Sequence, residues 1–544
     1  MIKQNLVALF EQTIQSNWDL PAFSDYKGEV YNYRQVAETI FEIHAMFKRL
    51  NIEPGDRVAL LSENSSTWAM TYLATLSYGA VIVPILPDFH TRDIAHILQH
   101  SESSCLFTIE NFYDKLDSEE INNLKAVISL KDFSLFYLDK KISKKWETSS
   151  EISKNETLSR NSFKLPQVEN PALASISYTS GTTGFSKGVM TSHNNLVSNI
   201  VFAIENLVLH PGDKILSFLP LAHSFGCAFE FLFPFCRGAF INFLNKIPSP
   251  RIIMEAFEYV KPRLILSVPL ILEKIYNKEI KPKIESQPVK SLLKLPGSKQ
   301  LIQKKIYKSL VNVFGGNFQE LIIGGAPLNH QVEEFLMDIK FPMTIGYGMT
   351  ECAPLISYSS WKTRRIKSVG KKVDNMEVTI DSDDPQHKIG EILVKGENLF
   401  MGYFKDEETT RKSFKGEWFC TGDLGTMDDD GFIYINGRSK TMILGPSGQN
   451  IFPDEIESRI NNLPLVQESL VLERNQKLVA LVYPDFVEVD KQKINQAELK
   501  NIMEENRKIL NGLLPQYAKV TEFQLYPEEF EKSPTKKIKR YLYR

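Results

Sequence analysis

The chain has 544 residues, 43% of them hydrophobic and 24% charged, a balance that excludes a disordered or fibrous protein. Its 64 Lys+Arg against 66 Asp+Glu leave a net charge of -2, so no global field draws it to nucleic acid. At roughly 150 residues per domain, the length exceeds one small domain. Five cysteines (Cys105, Cys227, Cys236, Cys352 and Cys420) are scattered without a CxxC pair. They indicate neither a disulfide framework nor a zinc site and fit a reducing cytosol.

The opening apolar stretch is broken at Glu11, too early for a secretory signal. Arg34 to Leu50 has helical spacing, and Arg57 to Leu61 reads as a strand after a Pro-Gly-Asp turn. Met70 to Pro87 carries no charge and reaches the length of a membrane span. Its Thr71, Thr75, Ser77, Gly79, Pro84 and Pro87 favour a buried helix running into a strand instead, and no transmembrane segment is predicted. This alternation predicts a layered α/β architecture. Residues 139–165 are polar and read as a loop. Lys278 to Lys308 holds nine lysines and two glutamates, which reads as a solvated helical face or as a contact with anionic lipid headgroups. Past Gly437 the pattern changes. Pro453 to Leu463 reads as a helix with acidic residues in its first turn, followed by a strand over Leu478 to Tyr483, a further helix and a basic end. Two domains are therefore expected, 1–438 and 439–544.

Three local patterns carry chemistry. The first, Tyr178-Thr-Ser-Gly-Thr-Thr-Gly-Phe-Ser-Lys-Gly188, follows a predicted strand over Ala172 to Tyr178. Its glycines let backbone N–H groups approach an anion, its hydroxyls add donors, and Lys187 adds a compact positive charge. A Walker A loop needs Gly before the lysine and Ser or Thr after it. Here those positions are Ser186 and Gly188, so that motif fails, and a plain Gly/Ser turn is the alternative. The second pattern, Ile345-Gly-Tyr-Gly-Met-Thr-Glu351, sets a Tyr to cover a nucleobase, a hydroxyl for a phosphate and a carboxylate for Mg²⁺ within a short stretch. Cys352 beside it has no nearby His and reads as a small, half-buried side chain. The third is Thr421-Gly-Asp-Leu-Gly with Gly437-Arg438-Ser-Lys440 further on. A carboxylate such as Asp423 can accept from both hydroxyls of a ribose; a β-hairpin with charged turns explains the stretch equally well.

In this order, together with Leu219–Gly226 (LPLAHSFG), Ile322–Leu328 (IIGGAPL) and Ser533–Arg540 (SPTKKIKR), the motifs resemble the adenylate-forming superfamily. The superfamily includes acyl-CoA synthetases, nonribosomal adenylation domains and luciferases. The resemblance spans nearly the whole chain. It implies a large, multi-layered N-terminal α/β domain and a small, mobile C-terminal α+β domain joined by a hinge at Lys440. Carried over, it implies that Thr179, Ser180, Gly181, Thr182, Thr183 and Lys187 hold the ATP phosphates. Gly325, Ala326, Tyr347 and Gly348 would line the adenine and acyl sites, and Thr350 would touch the α-phosphate. Asp423 and Arg438 would hold the ribose, and Glu351 with Thr179 would bind Mg²⁺. His223 would sit near the acyl carboxylate, and Lys537 matches the catalytic lysine. Two positions depart from the pattern. Ser186 stands where Pro is usual, and Lys536 where Gly is usual, which leaves the lysine register to be decided by spacing to Pro534 and Arg540.

The resemblance is greatest to long-chain fatty acid–CoA ligases. It implies a fatty acid, ATP and CoA as substrates, with Mg²⁺, in the cytoplasm or peripherally at the inner face of the membrane. Six phenylalanines from Phe225 to Phe240 follow His223. They could line an acyl tunnel or simply pack a core. Two rivals remain: transfer of the acyl group to a separate acyl carrier protein, and a non-catalytic nucleotide- or lipid-binding relative.

Overall fold

The computed structural model describes residues 2–143, 158–179, 187–246, 248–286, 298–444, 449–475, 477–533 and 537–543. The protein is mixed α/β, with a large N-terminal domain and a smaller C-terminal domain. The largest sheet has eight strands. From edge to edge they are Gly402–Tyr403, Lys187–Ser192, Leu173–Thr179, Val81–Ile85, Arg57–Leu61, Ser103–Thr108, Ala126–Ser129 and Leu135–Leu138. Its middle is parallel, because helices such as Ser66–Tyr78 return the chain between strands. The edge that carries the chemistry is antiparallel, with Leu173–Thr179 pairing Lys187–Ser192.

The uncharged stretch is a buried helix, Ser66–Tyr78, followed by the strand Val81–Ile85. Ser65 caps its N-terminus by accepting from the Trp68 N–H, and Gly79 at φ 85° ends it. Among the described residues no helix is long and apolar enough to cross a membrane. The helix over Tyr33–Arg49 is started by a capping box between Asn32 and Gln35. In the Lys-rich stretch, 287–297 lie outside the described residues, and a helix runs from Ser298 to Val313. Of the segment read as a loop, 144–157 are outside them too.

The large domain also holds a four-stranded sheet (Lys214–Ser217, Phe240–Phe243, Pro21–Asp25, Val30–Asn32), a smaller parallel sheet (Leu264–Ser267, Glu320–Ile323, Met343–Ile345), a three-stranded one (Tyr347–Gly348, Leu355–Tyr358, Lys371–Lys372) and an antiparallel one around Trp418–Met427. The C-terminal part has its own sheet, Val466–Arg474, Lys477–Pro484 and Val520–Leu525, covered by the helices Pro453–Ile460 and Gln496–Leu513. Its apolar core draws on Ile443 through Leu525, whereas the large core ends at Ile433 and Ile435. The two cores thus part close to Arg438.

Candidate active site

The described parts of the chemistry-bearing motifs sit at strand ends and turns. Asp423 and Arg438 are direct cross-strand partners in the hairpin formed by Trp418–Met427 and Ile433–Arg438. The register alone places guanidinium against carboxylate, with Nε 3.1 Å from Oδ1. The other carboxylate oxygen accepts from the Tyr347 hydroxyl at 2.7 Å. Asp423 is 4% exposed, whereas the Arg438 side chain is 52% exposed, so the pair has a fixed acidic base and a solvent-facing cationic rim. Burial, and then the Asp423 charge, push the Tyr347 phenol well above its usual value, which keeps it a donor. Tyr347, read as cover for a nucleobase, is itself buried.

Thr350 and Glu351 lie on a short 3-10 turn, Thr350–Cys352, between the strands Tyr347–Gly348 and Leu355–Tyr358. Gly348 is required by packing: a Cβ there would lie 2.1 Å from the Pro354 carbonyl oxygen. Two asparagines brace the turn. Asn199 Oδ1 accepts from the Leu355 N–H at 3.0 Å, and Asn398 Nδ2 donates to the Leu355 carbonyl at 2.7 Å. Cys352 is fully buried rather than half-buried, and desolvation raises its thiol well above the usual value. It is packing, not a nucleophile.

Thr179 and Lys187 face each other across the antiparallel edge. Ser180, Gly181, Thr182 and Thr183 lie outside the described residues, as does Ser186. The Lys187 ammonium sits 4.9 Å from the centre of the Tyr403 ring, and the Tyr403 hydroxyl donates to Glu351 Oε1 at 2.9 Å. Sequence reading had not singled out Tyr403. Gly325, at φ 87°, and Ala326 are exposed at the C-terminal end of the parallel strand Glu320–Ile323, where open α/β sheets place their ligands.

His223 caps the short helix Ser224–Gly226, its Nδ1 accepting from the Phe225 N–H at 3.3 Å. That assigns the proton of the neutral ring to Nε2. Burial, and then the charge of Lys537, lower its pKa to about 4. The preceding segment is anchored by Glu230, fully buried, which accepts from the N–H groups of Phe218 and Leu219 at 2.9 Å each. Four of the six phenylalanines are core: Phe229, Phe231, Phe233 and Phe235 are buried, Phe231 against Trp68 and Phe23. Phe225 instead covers Gly324, its ring 3.1 Å from where a Cβ would stand. A narrow cavity behind Thr350 is walled by Tyr72, Leu196, Leu221, Cys227 and Ala228.

Lys537 enters the same cleft from the C-terminal part. It stands on a hairpin closed by the Lys532–Ile538 bridge and by the Ser533 N–H donating to the Lys537 carbonyl at 2.7 Å. Crowding by protein and then the Arg438 charge lower its pKa, opposed by Asp423, Asp454 and Glu351. As a residue Lys537 is exposed, so it reaches these groups from the solvent side. Arg540 pairs with Asp454 at 2.7 Å and with Glu457, tying that hairpin to the helix Pro453–Ile460. Lys536 lies outside the described residues, and Lys440 is exposed just after the Asp423–Arg438 hairpin.

Among the described residues no three His, Cys, Asp or Glu side chains form a metal cluster. The one carboxylate Glu351 and the hydroxyl of Thr179, at the end of the strand paired to Lys187, are donor types that fit a Mg²⁺ carried in on phosphates rather than caged by protein. A buried carboxylate at Asp423 beside the Arg438 guanidinium, and the Lys187 ammonium beside Glu351 and Tyr403, give the groups that a nucleotide would need, and the class they point to is the adenylate-forming ligases. The chain belongs to the AMP-binding enzyme family, which matches residues 10–404. It is 29% identical over 448 residues to the long-chain-fatty-acid–CoA ligase FadD15 of Mycobacterium bovis, covering 78% of this chain and 72% of that one. It is 28% identical over 495 residues to the long-chain-fatty-acid–CoA ligase of Escherichia coli, covering 86% and 82%. The fold is shared with ATP-bound MatB from Rhodopseudomonas palustris at a TM-score of 0.75, with 22% identity over 99% of this chain and 98% of that one. O-succinylbenzoate CoA synthetase (MenE) of Bacillus subtilis, in complex with ATP and magnesium ion, gives 0.74 at 22% identity, covering 99% of each chain.

Proposed function

We propose that this ligase activates a long-chain fatty acid as its acyl-adenylate and transfers the acyl group to CoA. The observation that carries the reading is the meeting of Asp423–Arg438, Lys187–Tyr403–Glu351, the neutral imidazole of His223 and the ammonium of Lys537. In the first step a carboxylate oxygen attacks the α-phosphorus of ATP. A new acyl–phosphate bond forms and the bond to pyrophosphate breaks. Asp423 would hold the ribose hydroxyls, with Arg438 beside it, and Thr350 would donate to the α-phosphate. Lys187 would neutralise the phosphates. Lys537 would offset charge at the reacting oxygens, where preorganised cations matter most. His223, neutral at pH 7, would donate from Nε2 to the acyl carboxylate. Bound Mg²⁺ would supply charge neutralisation on the phosphates, held by Glu351 with Thr179. In the second step the CoA sulfur attacks the acyl carbon and AMP leaves. We take the domains as 1–438 and 439–544, with Lys440 as the hinge.

The acyl preference rests on the relatives, both long-chain ligases. Each buried CH₂ contributes about 0.8 kcal/mol, so acids of roughly twelve carbons and above should exceed acetate in kcat/KM by orders of magnitude. The test is AMP and pyrophosphate release from ATP over a panel of acids of increasing length, with and without CoA. AMP with fatty acids, and acyl-CoA only when CoA is added, supports the reading. ADP and phosphate overturn the chemistry, and a preference for acetate or benzoate overturns the chain length. Acyl-adenylate that accumulates and passes to a phosphopantetheinylated carrier but not to CoA overturns the acceptor.

A further inference from the structure

The segment 400–404 straps together the two halves of the phosphate end of the cleft. The Phe400 N–H donates to the Glu351 carbonyl, and the Phe404 N–H to the Gly188 carbonyl, each at 2.8 Å. Between them, Gly402 and Tyr403 pair with Met190 and Val189 of the strand that begins at Lys187. The Tyr403 backbone is fixed further by its N–H donating to Thr410 Oγ1 at 2.9 Å, and its ring packs on Phe400 at 4.9 Å. Tyr403 is 8% exposed. Its hydroxyl is committed to one oxygen of Glu351 and its ring face to the ammonium of Lys187.

A lysine and a glutamate this close to one ring could simply pair. Each charge would then be engaged before a ligand arrived, and binding would have to break the pair. A phenol hydrogen bond and a cation–π contact hold the same two groups in place without cancelling either charge. The phenol O–H is the donor in that bond, since the carboxylate can only accept.

We infer that Tyr403 is a positioning residue for the phosphate and metal end of this site. Its hydroxyl occupies Glu351 Oε1 and leaves Oε2 for a divalent cation, while its ring holds Lys187 ready for the phosphates. The inference rests on the roles given above to Glu351 and Lys187.

The test uses full-length Tyr403→Phe, which keeps the ring and loses the hydroxyl, and Tyr403→Leu, which loses both, with Glu351→Gln and Lys187→Ala as references. Mn²⁺ affinity is read by electron paramagnetic resonance with a non-hydrolysable ATP analogue present. Metal-free ATP affinity is read by calorimetry in chelator, and circular dichroism checks folding. Tyr403→Phe should weaken Mn²⁺ by about 10–100-fold, the usual scale for losing a group that orients a metal ligand. Its metal-free ATP affinity should stay near the parent's, whereas Tyr403→Leu should lose both. If Glu351→Gln loses Mn²⁺ and Tyr403→Phe does not, the role of Tyr403 is overturned alone. If Glu351→Gln also binds Mn²⁺ normally, the metal role of Glu351 falls with it. Equal loss of both affinities in Tyr403→Phe would mark a collapsed strap and overturn the split of roles.

Discussion

Burial sets the protonation of three histidines here, in and out of the cleft. His44 donates from Nε2 to the Ala74 carbonyl at 2.9 Å inside the core, and desolvation takes its pKa to about 4. His193 is fully buried, neither ring nitrogen has a partner among the described residues, and its pKa is also about 4. His223 is lowered likewise, so at pH 7 it is a neutral donor rather than a second cation beside Lys537. For a histidine whose folded pKa lies below its unfolded value, the unfolded chain takes up the proton first. Stability should therefore hold above pH 6.5 and fall as pH drops from 6.5 toward 4. At pH 5 the loss is about 2 kcal/mol for each of His44 and His193. All five tryptophans precede residue 439, so urea unfolding followed by tryptophan fluorescence reads the large domain that holds both histidines. His193→Leu should be less sensitive to acid than the parent over pH 7 to 5. An identical acid slope would show that His193 takes up no proton on unfolding.

At the scale of elements, function hangs on how turns are packed. The turn that carries Thr350 and Glu351 depends on Gly348, whose missing side chain admits the Pro354 carbonyl. Gly348→Ala should cost about 1–3 kcal/mol from overpacking. It should also depress ATP-dependent AMP formation at least tenfold, because the displaced turn misaims both groups. Gly512→Ala, in the helix Gln496–Leu513 with nothing near its would-be Cβ, is the control. It should be neutral, or stabilising by up to about 1 kcal/mol. Normal AMP formation by Gly348→Ala would show that the turn tolerates the shift. Much of this was legible in the sequence, because it is local. The helical spacing from Arg34 to Leu50 and the uncharged stretch read as a buried helix running into a strand are both found, and the strand over Trp418–Met427 buries every second residue. Of the two readings of Asp423, the charged hairpin is what the structure shows, its register setting Arg438 against the carboxylate; the ribose role is the proposal built on that pair. Tyr403 was not legible. Its partners, Glu351 and Lys187, are distant in the chain and only the sheet edge brings them to it. For the phenylalanines the core reading holds at Phe229, Phe231, Phe233 and Phe235, which lie in helical segments and are buried.

For the whole molecule, the deciding matter is how Lys537 reaches the cleft. It belongs to a part with a separate core, and its hairpin is locked to that part by Arg540 with Asp454 and Glu457. The link to the large domain includes the Ser439 N–H to Gly422 carbonyl bond at 2.9 Å and the Met442 N–H to Arg438 carbonyl bond at 3.0 Å, on either side of Lys440. Rotation there would carry Lys537 out of the cleft as a unit, without unfolding either core. Lys537→Ala should therefore separate the two half-reactions. Adenylation loses a preorganised cation from the atoms whose charge changes, and it should slow about a hundredfold, or roughly 3 kcal/mol. On the proposed rotation at Lys440, which takes the lysine out of the cleft for that step, acyl-CoA formation from synthetic acyl-adenylate and CoA should run near the parent rate. Lys536→Ala is the paired control for the register, its neighbour being a lysine where the resemblance leads one to expect Gly. Loss of adenylation in Lys536→Ala with retention in Lys537→Ala would move the catalytic role by one residue. Equal slowing of both half-reactions in Lys537→Ala would mean that the lysine stays in the cleft throughout, and that the small domain does not turn at Lys440.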